Sequence, residues 1–162
     1  MKQRRASPLI WWTILCLPFF TVAQEGQISS AESERLLDGQ FKIVWKTDGI
    51  PASLKQAFSK ITRQRSFAMA DPGQKFQVTD VVLDNALPSR RLVFAGTQGD
   101  TWFVHYERGG YAHSYYVIAL KLIPHSDAEF QWGCSVPGVA KSLEQLRTLV
   151  AACRLAKADS YW

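Results

Sequence analysis

Thr101-Trp102-Phe103-Val104-His105-Tyr106-Glu107-Arg108-Gly109-Gly110-Tyr111-Ala112-His113-Ser114-Tyr115-Tyr116-Val117 is the stretch on which the fold turns. Two runs rich in aromatic and β-branched residues flank a glycine pair, the pattern of two strands joined by a tight turn. Gly109-Gly110 suits a two-residue turn that needs positive φ. Arg108 is then expected opposite Tyr111, Tyr106 opposite His113 and His105 opposite Ser114. Side chains alternate between the faces of a strand. One face would carry Phe103, His105, Glu107, Ala112, Ser114 and Tyr116, and the other Trp102, Val104, Tyr106, His113, Tyr115 and Val117.

The hairpin belongs to a longer series. On its N-terminal side, Phe76-Gln77-Val78-Thr79-Asp80-Val81-Val82-Leu83 and Leu92-Val93-Phe94-Ala95 read as strands, with a turn at Gly99-Asp100. On its C-terminal side the strand from Tyr111 runs to Ile123. Pro124-His125-Ser126-Asp127 then turns the chain into Glu129-Phe130-Gln131-Trp132. Further upstream, Gln40 to Lys46 alternates Phe41, Ile43 and Trp45 with lysines, as a half-buried strand does. Asp48-Gly49 turns it into a helix that starts at Pro51, carries Leu54, Phe58 and Ile61 at helical spacing, and reaches about Arg63. A shorter helix is expected from Ser29 to Leu37.

A last helix starts at Ser142, which with Gln145 makes a capping box. Leu143, Leu146, Val150 and Cys153 form its apolar stripe. The expected fold class is α+β: an antiparallel meander of about five to six strands packed against N-terminal helices and a disulfide-clamped C-terminal helix.

The first 23 residues read as a leader. Lys2, Arg4 and Arg5 precede an apolar run from Pro8 to Val22, and Thr21-Val22-Ala23 offers small residues for cleavage after Ala23. The run is shorter than the roughly 20 apolar residues needed to span a bilayer, and Pro18 interrupts it. Leu15 before Cys16 is too large for a lipoprotein signal. Residues 24–162 then form a single α+β domain, expected in the bacterial periplasm or outside the cell.

Cleavage changes two counts. The chain has 19 Lys+Arg and 14 Asp+Glu, a net +5. Three of the basic residues and none of the acidic ones lie in the leader, which leaves 16 against 14, or +2. No basic stripe remains, which argues against a nucleic-acid partner. Cys16 also departs, so Cys134 and Cys153 remain as an even pair and are expected to bond in an oxidising compartment.

No cofactor motif and no metal-ligand spacing stands out, and the expected register separates His105 from His113. Gly96-Thr97-Gln98-Gly99 lacks the lysine and helix of a phosphate loop. Asp80 and Asp84 are expected to share a strand face and point to solvent. Tyr106, Arg108, His113 and Tyr115 are the candidate binding residues, since Tyr, Trp and Arg dominate binding hot spots. The expected function is binding, with another protein as the partner and no membrane contact after leader removal. An inhibitor or immunity role and an envelope accessory role both fit. Two alternatives remain: an envelope hydrolase using His105, Glu107 and Ser114, and a small-ligand carrier with a cavity between sheet and helices.

N-terminal sequencing of the protein recovered from the cell envelope or medium should read Gln-Glu-Gly-Gln, starting at Gln24. An intact Met1 on the exported protein would contradict the leader.

Overall fold

In the computed structural model, residues 38–80 and 84–153 are described, together with the backbone of 155–156. The expected leader at residues 1–23 and the expected helix at Ser29–Leu37 lie outside the described residues. The sheet runs in chain order, β1 (Lys42–Val44), β2 (Arg90–Gln98), β3 (Thr101–Arg108), β4 (Ser114–Lys121), β5 (Glu129–Val136) and β6 (Leu155–Ala156), with every neighbouring pair antiparallel. Helix α1 (Ala52–Ile61) lies between β1 and β2, and α2 (Leu143–Ala151) follows β5. The fold is therefore α+β.

Each helix serves one face of the sheet. Leu54, Ala57 and Phe58 of α1 share a core with Leu92, Trp102, Val104, Tyr106, Ile118 and Leu120. On the opposite face, Leu146 and Val150 of α2 pack with Phe94, Phe103, Val117, Ala119, Trp132 and Cys134. The strand alternation seen in the sequence is thus real, but neither set faces water. Two bulges adjust the sheet to this double cover. One at Leu92/Phe94 puts Val93 and Phe94 on the α2 face together, and another lies opposite Ala119/Leu120.

Local chemistry explains the helix ends. Pro51 caps α1 from just outside its first turn. The helix ends in a Schellman motif, with Gln64 N–H donating to Ser59 O (2.9 Å) and Arg63 N–H to Lys60 O (3.2 Å). Arg63 takes the left-handed position at φ 56°. Ser142 Oγ accepts from Gln145 N–H at the start of α2, while the Gln145 side chain accepts from Lys141 N–H, one residue before the cap. The helix stops at Ala151, so Cys153 lies just beyond it rather than on its stripe.

Three expectations are corrected. The strand at Gln40–Lys46 shrinks to Lys42–Val44. Phe76–Val78 forms no strand: Gln77 N–H donates to Pro88 O, and Phe76 turns inward as a plug. Residues 81–83 of that expected strand lie outside the described residues; Asp80 and Asp84 on either side of them are both exposed, and neither is in a strand.

The third correction is the β3–β4 register. Arg108 pairs with Ser114, Tyr106 with Tyr116 and His105 with Val117, so a five-residue loop at 109–113 replaces the two-residue turn. The glycine pair has a different task. A Cβ on Gly109 would lie 1.8 Å from Gln77 O, and Gly110, at φ +127°, donates its N–H to Val78 O. The two glycines let the hairpin base press against residues 77–78. An odd slip in register moves every β4 side chain to the other face.

Cys134 and Cys153 form a disulfide that ties β5 to the chain just past α2. A loop of this size should contribute about 3 kcal/mol. The Cys134→Ala/Cys153→Ala protein should lose about that much in urea unfolding, and an unchanged midpoint would contradict the clamp.

Candidate functional site

β3 is buried along its length except at its ends, yet it carries His105 and Glu107. A buried polar group must find partners inside the protein. His105 finds two: Nδ1 donates to Tyr116 O (2.9 Å), and Nε2 accepts from Ala140 N–H (3.0 Å). The first bond reaches β4 and the second holds the segment leading into α2. Both ring nitrogens are occupied by backbone, which fixes the neutral ring in one tautomer. Burial lowers its pKa from 6.5 to about 4, against the opposing pulls of the Tyr116 carbonyl and the Glu107 carboxylate.

Glu107 sits at the end of the same face with its side chain only 8% exposed. Arg91 Nε donates to one carboxylate oxygen (2.5 Å), and His113 Nε2 to the other (2.8 Å). Arg91 also lies over the Phe76 ring at 4.4 Å and donates to Gln74 O. Phe76 in turn touches the His113 ring, which leans on Tyr115. This network closes the end of the sheet and fastens residues 74–78 to it. Its charges are matched by contact, and its apolar parts are stacked.

The structure divides the residues singled out in the sequence. Tyr106 is fully buried on the α1 face, stacked on Tyr116 and edge-on to Phe58, and burial holds its phenol well above the ordinary pKa. Arg108 lies on that face opposite Ser114. His113 and Tyr115 are instead at the Glu107 end of the other face. The four candidate binding residues therefore do not form one patch. His105, Glu107 and Ser114 do not converge either: Ser114 Oγ donates to Ala112 O, while His105 is committed to backbone partners. The expected separation of His105 from His113 is also altered, since His113 meets Glu107 on the side His105 occupies. Among the described residues, no group of three His, Cys, Asp or Glu side chains is placed to hold a metal ion.

Sequence reasoning missed Arg91 and Phe76 because their roles depend on contacts across the sheet end. It also missed Tyr111, which sits at the tip of the loop with 96% of its surface exposed. The loop around it is fixed. Gly109 N–H donates to Ser89 O, Gly110 N–H to Val78 O, Ser114 Oγ to Ala112 O, and His113 is held by Glu107. Val78, 44% exposed, lies beside the loop base. Comparison of the chain with family models, curated proteins and solved structures found no match.

The neutral His105 makes stability pH-dependent. Its folded-state pKa lies below the unfolded value, so between pH 6.5 and 4 the unfolded chain binds a proton that the folded chain refuses. This contribution is complete above pH 6.5 and declines as pH falls toward 4, by about 3 kcal/mol in all. The stability advantage of the native protein over His105→Gln should shrink across that window in urea titrations. Parallel curves for the two proteins would contradict the assignment.

Proposed function

We propose that the protein is exported, loses its leader after Ala23, and acts in the periplasm or outside the cell by binding another protein. The contact is made through the β3–β4 loop. Tyr111 carries this reading: a large aromatic side chain stands clear of the surface on a loop fixed at both shoulders. Ordering flexible side chains and loops is a main cost of association, and a loop ordered beforehand avoids much of it. Tyrosine is also among the residues that most often dominate binding energy. Val78 beside the loop, with His113 and Tyr115 behind it, supplies a mixed apolar and polar surround.

The disulfide supports export, because such bonds persist in oxidising compartments. An inhibitor or immunity role fits a rigid loop that enters a partner's cleft, and an envelope accessory role fits equally. The hydrolase alternative lacks comparable support, since its serine and histidine are each engaged elsewhere. For a carrier, the space between α1 and the sheet is occupied by Leu54, Phe58, Trp102 and Tyr106.

The test has two stages. The mature chain, immobilised, is exposed to envelope extract and to culture medium, and any protein retained is purified and titrated against it. Tyr111→Ala should weaken that binary complex at least about 30-fold, the roughly 2 kcal/mol of a hot spot. Its thermal midpoint should stay unchanged. Equal affinities for native and variant proteins, or no retained protein, would overturn the proposal.

A further inference from the structure

The end of α1 forms a second feature with chemical content, separate from the hairpin loop. The Schellman turn at Thr62–Gln64 folds the chain back so that Gln64, Arg65 and Phe67 face the helix ridge carrying Lys55, Ser59 and Lys60. Between them lies a half-open cleft of about 360 Å³. That volume is at the lower end of the range for small-molecule sites.

Its lining is specific in charge. Lys55, Lys60 and Arg65 bring three cations to one recess. Lys60 is paired with Asp127 across the rim. Among the described residues, neither Lys55 nor Arg65 has an acidic partner. Lys55 lies 5.6 Å from the centre of the Phe67 ring, which gives the cleft an aromatic wall beneath a cation. Ser59 is buried and already donates to Lys55 O, while Gln64 donates to Ala68 O, so the polar walls are held in place.

We propose that this cleft binds a small organic anion, with an oxyanion head between Lys55 and Arg65 and a planar apolar body against Phe67. Two cations facing one half-open cleft, neither with an acidic partner among the described residues, attract an oxyanion more strongly than scattered surface charges do. Arg65 can also hold such a head through two parallel N–H donors. The aromatic wall favours a flat organic body over a bare inorganic ion. A free small molecule fits better than a lipid headgroup, since Phe67 lies within the recess rather than on an exposed apolar rim.

The probes are phenyl phosphate, inorganic phosphate and phenol, added to the ¹⁵N-labelled protein and followed by NMR. Phenyl phosphate should give saturable shifts confined to residues 55–67, at concentrations about tenfold below those inorganic phosphate requires. Phenol should give none. Lys55→Gln/Arg65→Gln should raise the phenyl phosphate dissociation constant at least about tenfold, with the rest of the spectrum unchanged. Unsaturable shifts spread over all surface lysines would overturn the proposal, as would an unaffected double variant. Binding to anionic phosphatidylglycerol vesicles without saturable phenyl phosphate binding would assign the charge to a membrane surface and also overturn it.

Discussion

β3 is covered on both faces, and the rest of the structure answers to that constraint. A strand in this position has no access to water, so each polar group it carries must be satisfied by the protein itself. His105 and Glu107 stand on the face that α2 covers. His105 meets the requirement with two backbone groups from different parts of the chain, Tyr116 O and Ala140 N–H. It thereby ties the lead-in to α2 to the centre of the sheet. The disulfide performs a related service at the other end of the same helix, joining Cys134 to Cys153. Between these two ties, α2 needs only Leu146 and Val150 fully buried to stay on its face.

Glu107 solves the same problem differently. It lies where the sheet ends, and its neighbours are ionisable side chains rather than backbone. Arg91 and His113 each take one oxygen, and Phe76 covers the pair. Because His113 belongs to the hairpin loop and Phe76 to the segment before β2, satisfying this carboxylate also fixes the loop's position. The glycine contacts at residues 77–78 complete the clamp. A loop held by the partners of a buried carboxylate gives Tyr111 a fixed place from which to meet a partner, so packing at the sheet end bears directly on the proposed binding.

Much of this architecture was legible in the chain. The alternation in Thr101–Glu107, the turn at Gly99-Asp100 and the cap at Ser142 follow from local patterns, and the pairing of Cys134 with Cys153 from the count of cysteines left once Cys16 is set aside. The register of the central hairpin did not. Gly-Gly between two strands has two physical uses, a tight turn or a close approach of backbone, and only the presence of Gln77 beside Gly109 decides between them. That one ambiguity carried His113 and Tyr115 to the wrong face and hid the Glu107 network. Phe76–Val78 misled for a related reason: its β-forming residues serve as a plug rather than as a strand. Tyr111 carried no local signal, because exposure is set by how the loop is pinned.

His105 is a neutral, fully engaged core residue rather than a group available for chemistry at the surface. Long-range ¹H–¹⁵N correlation spectra of the imidazole rings address this directly, since they distinguish the tautomers and follow each ring through its titration. The structure predicts His105 with its proton on Nδ1, Nε2 acting as acceptor, and no change between pH 7.5 and about 5.5. A proton on Nε2 at neutral pH, or a titration near the ordinary value of 6.5, would contradict it.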